Sequence, residues 1–310
     1  MMLSIVTPAF NEASNLDALY ARLVAVMGEL GLDWEWLVVD DHSPDGTFAC
    51  VERLAVLDPR VRGFRLARNG GSHVAITCGL HHARGDAAVM MAADLQDPPE
   101  TLGAMVEKWR AGTQVVWATR RSRPGDRGHS WLAAVYYWTM RKAVGLHEIP
   151  ARGADFFLAD RVVLDAFRRL MERNVSVFAS ITALGFRQEY VEYEKLARTS
   201  GQSGWTFARK VKLVVDSVTA FSAFPIRLCS LAGLAFLGVA VVIGGVAIWA
   251  APAPGGGTRI VLAVIFGLTG VQMLALGLVG EYVWRSLDES RRRPVYLIEA
   301  AAGQPVATIE

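Results

Sequence analysis

MMAADLQDPPE, residues 90–100, decides between a buried core and a working edge. The apolar run Ala87-Ala88-Val89-Met90-Met91 leads straight into Asp94, Gln96 and Asp97, and Pro98 and Pro99 then stop it. A short apolar run bounded by turn residues marks a buried strand. A buried strand gains nothing structurally from carboxylates at its end, because a charge taken out of water is costly unless it is paired. The stretch therefore predicts a strand whose end faces a polar site.

Working outward, strand-like runs occur at 3–10, 35–41, 61–67, 87–95 and 114–121, with helical patterns at 13–30, 47–57, 73–84 and 99–111. This alternation predicts an α/β fold, a mostly parallel sheet with helices on both faces. Ligands of such sheets bind beyond the carboxyl ends of the strands. Asn11 and Glu12 follow the first strand, Asp40 and Asp41 the second, and Asp94 and Gln96 the fourth. Acids delivered by separate strands to one edge predict a site there. No G-x-G-x-x-G and no P-loop is present, and RNGGSH (68–73) follows neither pattern. Carboxylate and carboxamide oxygens are hard ligands, suited to Mg2+ or Mn2+ bridging to substrate phosphates. Asp40 or Asp41 can instead accept hydrogen bonds from a nucleobase or ribose. A metal–nucleotide site is the natural expectation.

The bulk properties add a membrane. Net charge is only +2, which argues against nucleic acid as a partner, and 52% of the 310 residues are hydrophobic, with a mean hydropathy of +0.28. The excess is concentrated in 226–251 and 260–284, joined by PAPGGGT. Each run of about 25 residues would reach roughly 37 Å as a helix, enough to cross a hydrocarbon core. Arg209, Lys210 and Lys212 precede the first run and Arg227 stands at its leading edge, while Arg285, Arg291, Arg292 and Arg293 follow the second. The positive-inside rule then places both flanks in the cytoplasm. Val211, Val214, Val215, Val218 and Phe221 recur at helical spacing and predict an interfacial amphipathic helix before the first span. The expected domains are thus 1–200 catalytic, 201–225 interfacial helix, 226–285 transmembrane hairpin and 286–310 cytoplasmic tail. This makes a multi-pass protein of the inner (plasma) membrane. Cys50, Cys78 and Cys229 lack metal or disulfide spacing and read as small buried hydrophobes, while His81 and His82 read as packed or solvated.

Together IVTPAFNEASNL, VVDDHSPDGT, AADLQDPPE, GADFFLADRVV and RTSGQSGW resemble the family-2 glycosyltransferases of the GT-A fold. More narrowly, the chain is similar to the polyprenyl-phosphate glycosyltransferases of the bactoprenol glucosyltransferase and dolichol-phosphate mannose synthase group. The five ordered motifs and the two-span tail cover nearly the whole chain, and the tail is closer to the bactoprenol branch. The resemblance implies Pro8, Ala9, Glu12, Asp40 and Asp41 at the nucleotide and Asp94 and Gln96 at a Mg2+ or Mn2+ ion. It implies Asp155 near the acceptor phosphate, with Arg120, Arg198 and Ser203 around the donor and acceptor phosphates. The implied reaction is inverting transfer of a sugar from a nucleotide sugar, UDP-glucose first among them, to undecaprenyl phosphate.

Two departures stand against the family pattern. Where relatives read Asp-Ala-Asp-Leu-Gln this chain reads Ala92-Ala93-Asp94-Leu95-Gln96, so the first acid is missing, and RNGGSH is atypical in the residues after Asn69 and the glycines. A glycosyltransferase with another acceptor and a degenerate nucleotide-binding membrane scaffold therefore stay open, as does a homo-oligomer.

Overall fold

The computed structural model describes residues 1–121, 154–170, 176–196 and 294–303, together with isolated positions between 261 and 286. Eight strands form one sheet in the order β7-β5-β6-β4-β1-β2-β3-β8. They are β1 (Met2–Ala9), β2 (Asp33–Asp40), β3 (Val61–Leu66), β4 (Ala87–Met90), β5 (Val115–Arg120), β6 (Phe156–Asp160), β7 (Gln188–Tyr193) and β8 (Ile298–Ala302). The helices are α1 (Leu16–Leu30), α2 (Thr47–Leu57), α3 (Ser72–His82), α4 (Leu102–Arg110), α5 (Arg161–Phe167) and α6 (Val177–Ala183).

The expected α/β alternation is present through β5. β1 pairs in parallel with β2 and β4, β2 with β3, and β5 with β7. β1, β2, β4 and β5 read as largely apolar runs because both faces are covered. Leu3, Ile5, Trp36, Val38, Val89 and Trp117 are fully buried. β6 runs antiparallel between β4 and β5, with Met90 opposite Phe157 and Ala118 opposite Phe156. Its reversal brings the start of β6 to the edge where β4 and β5 end. The chain just before β6 thus joins the site edge although it is more than fifty residues from β4 in sequence. At the opposite edge the buried Glu35 accepts from Ser4 Oγ (2.6 Å), the Arg84 amide (2.6 Å) and Arg62 Nη1 (2.8 Å). That charge is fully partnered within the fold, which is how a structural ion pair persists in an interior.

Three features differ from the sequence expectation. β4 ends at Met90, not at 95, and the chain beyond it is a bent loop that frees Asp94 and Gln96 from the ladder. The pattern at 13–30 becomes helical only at Leu16. The C-terminal residues expected as a tail contain β8, which pairs antiparallel with β3 as the outermost strand of the sheet. An alanine-rich edge strand has little hydrophobic alternation to announce it. The chain accordingly divides into two compact units, one of Met1–Val214 with Pro294–Glu310, the other of Val215–Arg293.

The interfacial helix (201–225) and the first span (226–251) lie outside the described residues, as does most of the second. The isolated positions described between 261 and 286 are helical. Among the described residues, no helix is long and apolar enough to cross a membrane. His81 and His82 are packed, as expected, against Phe167, Phe64 and Tyr296, and burial lowers the His81 pKa to about 4.

Candidate active site

Asn11, His42 and Leu95 each have φ of 59°; the first two lie two residues past β1 and β2, and Leu95 lies in the loop that follows β4. Left-handed backbone is uncommon outside glycine, and for leucine the more so. Such strain persists only where surrounding structure imposes it, and it gathers at functional sites. All three turns lie at the edge predicted from the acids.

On one side of that edge the carboxylates are held by main chain. Asp40 ends β2 opposite Ala9 and is 1% exposed. Its Oδ1 accepts from the Ser43 amide at 3.0 Å, while Oδ2 is buried without a hydrogen-bond partner. Ser43 Oγ in turn accepts from the Asn11 amide at 3.0 Å, tying the first two turns together. Asp41 accepts from the Gly70 amide at 2.7 Å and the Gly71 amide at 2.8 Å, so both of its oxygens hold the glycine-rich loop. Gly71 has φ of 89°, which lets its amide turn toward that carboxylate before α3 begins. Burial raises the Asp41 pKa, and the two amides oppose the rise. Glu12 receives Asn15 Nδ2 at 2.6 Å, and its amide donates to Thr47 Oγ1 at 3.0 Å. Pro8 and Ala9 lie beside Val39 and Asp40 in the β1–β2 register and form the floor of this side.

On the other side the carboxylates are held by side chains. Asp155 immediately precedes β6, and its Oδ1 receives Lys195 Nζ at 2.9 Å. Tyr193 Oη, at the end of β7, lies 2.5 Å from Asp97 Oδ1 and 2.7 Å from Asp155 Oδ2. One phenolic proton cannot fill two such contacts. Lys195 Nζ, also 3.5 Å from Asp97, offsets the repulsion between the two acids. Burial opposes the charge on Lys195, but Asp97 and Asp155 outweigh it and raise its pKa. Burial likewise raises the pKa of Asp97, against the pull of Lys195 and Tyr193. The Leu196 amide donates to the Gln96 carbonyl at 2.9 Å, so the chain leaving β7 is pinned to the loop of the opening stretch.

In that loop Asp94 and Gln96 are both half-buried, and Asp94 Oδ1 accepts from the Gln96 amide at 3.2 Å. Among the described residues no group of three His, Cys, Asp or Glu converges as a ready-made metal cage. A carboxylate and a carboxamide two residues apart suit a cation that takes its remaining oxygens from phosphate and water, as Mg2+ usually does. Arg120 ends β5 exposed at the same edge, opposite Tyr193 of β7. Arg198 and Ser203 lie outside the described residues.

The sequence reading did not single out Tyr193, Lys195, Ser43 or Arg65, and it quoted Asp97 without a role. Only Asp97 carried a signal, as a third polar group at the end of an apolar strand.

The sequence profile of glycosyl transferase family 2 matches residues 4–168. An uncharacterised glycosyltransferase of Bacillus subtilis is 34% identical over 97% of this chain and 94% of its own. The bactoprenol glucosyl transferase of Shigella phage SfV is 31% identical over 96% of this chain and 98% of its own. The fold resembles that of glucosyl-3-phosphoglycerate synthase from Mycobacterium tuberculosis, solved with Mn2+, UDP-glucose and phosphoglyceric acid. That likeness has a TM-score of 0.50 at 15% identity and covers 69% of this chain and 78% of that one.

Proposed function

The chain belongs to glycosyl transferase family 2 and is a glycosyltransferase; from that premise we propose that it moves a sugar from a nucleotide sugar, UDP-glucose first, to a polyprenyl phosphate at the cytoplasmic face of the membrane. The observation that carries the reading is the convergence of Asp40, Asp94 and Asp155 on one strand edge, with a buried oxygen of Asp40 left open. Near-full-length relatives named for bactoprenol glucosylation support the lipid acceptor.

In this reading Pro8, Ala9, Glu12 and Asp40 form the nucleotide wall, and Asp40 Oδ2 accepts from the base. Asp41 acts on the nucleotide through the loop that it holds at Gly70 and Gly71. Asp94 and Gln96 would hold a Mg2+ or Mn2+ ion, which supplies charge stabilisation to the departing diphosphate. An oxygen of the acceptor phosphate bonds to the anomeric carbon as the bond from that carbon to the nucleotide oxygen breaks. A phosphate monoester loses its second proton near pH 6, so the acceptor is already largely dianionic at neutral pH and needs no general base. Asp155 is therefore an orienting group. A bare carboxylate would repel the acceptor, and Lys195, 2.9 Å away, removes that objection. Arg120, Arg198 and Ser203 are assigned to the phosphates.

The described strands also bear on topology. Because β8 pairs with β3, the segment 215–293 leaves and rejoins one and the same unit. Any membrane it crosses is crossed an even number of times. That supports two spans at 226–251 and 260–284, with the catalytic sheet and β8 both cytoplasmic.

The test is detergent-solubilised full chain with labelled UDP-glucose and undecaprenyl phosphate, followed for a lipid-linked sugar and for released UDP. Product is expected with Mg2+ or Mn2+ and should vanish with a chelator and in Asp94→Ala. Nucleotide binding without lipid-linked product from any donor would favour the degenerate scaffold, which Ala92 supports.

A further inference from the structure

β8 returns from the far side of the apolar segment and carries a charged side chain into the nucleotide wall. Arg65 of β3 lies beside Asp40 of β2 in the ladder and opposite Ala300 of β8, whereas the next residue, Leu66, lies opposite Ile298. Glu299 is the extra residue at this register shift. A bulge of this kind re-aims a side chain, and bulges are common beside active sites. Here Glu299 Oε2 makes ion-pair contacts without a hydrogen bond, at 3.2 Å from Arg65 Nε and 3.3 Å from His42 Nδ1, whose own hydrogen-bond partner is the Leu66 carbonyl at 3.0 Å. Arg65 Nε is 3.9 Å from Asp40 Oδ2, too far for a hydrogen bond, and its Nη2 is turned to the Ser43 carbonyl at 3.3 Å. The result is a row of alternating charge across three strands, Asp40, Arg65 and Glu299, whose innermost acceptor stays open.

Without an outer anion the guanidinium would have, among the described residues, the carboxylate of Asp40 in reach. A buried, unpartnered oxygen gains more from that contact than a half-exposed one, because water screens it less. The arginine would then occupy the acceptor that a nucleobase needs. We propose that Glu299 is a positioning residue of the nucleotide site: it holds Arg65 away from Asp40 and so keeps Asp40 Oδ2 available to a base N–H. The strand that follows the apolar segment in sequence thereby becomes part of donor recognition. The inference rests on the nucleotide reading above and adds to it a residue far outside the 4–168 family match.

Glu299→Gln keeps the size of the side chain and removes its charge. Calorimetric titration of the full chain with UDP should show roughly ten-fold weaker binding, the scale of one lost hydrogen bond to a charged group. The paired variant Glu299→Gln with Arg65→Met should regain most of that affinity, because the competing guanidinium is gone. A merely structural role for β8 would show no such recovery, since the second change does nothing to restore the strand. Wild-type affinity in Glu299→Gln, or a paired variant as weak as the single one, overturns the inference while leaving the nucleotide site intact. Failure of the wild type to bind UDP, GDP, CDP or TDP overturns the nucleotide reading and the inference with it.

Discussion

The two sides of the strand edge hold their carboxylates by different means. Asp40 and Asp41 are fixed by amides of Ser43, Gly70 and Gly71, whose positions follow from the turns themselves. Asp97 and Asp155 are fixed by Tyr193 and Lys195, side chains from the other end of the sheet. Main-chain donors carry no net charge and cannot leave, so the first side is a rigid acceptor surface suited to recognising a base. A lysine can exchange one anion for another at little cost in geometry. The second side is therefore where an incoming phosphate can be received, its charge met by an ammonium already in place.

Asp155→Asn breaks this contrast most sharply. It keeps the size of the side chain but removes the charge that Lys195 and Tyr193 are arranged around. Turnover should fall on the order of a hundred-fold, the scale lost when one preorganised electrostatic partner is removed. UDP affinity should stay near wild type, because the proposed place of Asp155 is at the acceptor. Steady-state kinetics beside calorimetry read both quantities. An equal loss of UDP affinity would move Asp155 to the donor side and erase the distinction.

The same contrast explains what was legible in the sequence. Asp40, Asp41, Asp94 and Gln96 stand at the ends of apolar runs, so strand periodicity alone assigned them to one edge. Local turn chemistry completed that side within a few residues. Tyr193 and Lys195 reach Asp97 and Asp155 across 96, 38 and 40 positions of sequence, and no local pattern encodes such pairs. β6 and β7 escaped notice for a related reason. Their places depend on antiparallel and cross-sheet partners, and in β7 only Val191 and Tyr193 are buried, between the polar or exposed Gln188, Tyr190 and Glu192. β8 was hidden because IEAAA has neither bulk nor alternation, and its register is set by β3. Asp155 was found only through resemblance to known glycosyltransferases. Its hydrogen-bond partners in the fold, Lys195 and Tyr193, were not.

Lys195→Met sharpens the comparison with a smaller effect. The half-buried methionine fills the space of the alkyl stem but leaves Asp155 and Asp97 facing each other through Tyr193. Turnover should drop about ten-fold, in line with one charged hydrogen bond partly exposed to water. The KM for the lipid phosphate should rise, and that for the nucleotide sugar should hold. Lys195→Arg should restore part of the turnover, since a guanidinium keeps the charge although its fork fits one carboxylate better than two. Loss of nucleotide affinity in Lys195→Met, with an unchanged lipid KM, would assign the lysine to the donor diphosphate.

The smallest expected effect belongs to the residue absent from the opening stretch. Ala92 is half-buried at the start of the loop that carries Asp94 and Gln96. Ala92→Asp adds a hard oxygen where relatives of this family carry an acid, and a hard cation or donor ribose nearby can use it. Two terms compete. A new charged hydrogen bond favours the bound state, while repulsion from Asp94 raises the cost of ionising the new acid before a cation arrives. The net gain should be on the order of 1 kcal/mol, or about five-fold tighter Mn2+-dependent UDP binding. Metal titration of UDP binding in wild type, Asp94→Ala and Ala92→Asp measures it. If Asp94→Ala binds as wild type does, the loop is not the metal side of the site. If only Ala92→Asp shows metal-dependent binding, the natural chain has lost the cation along with the acid, and the side-chain-held half of the edge is left without the charge that its chemistry requires.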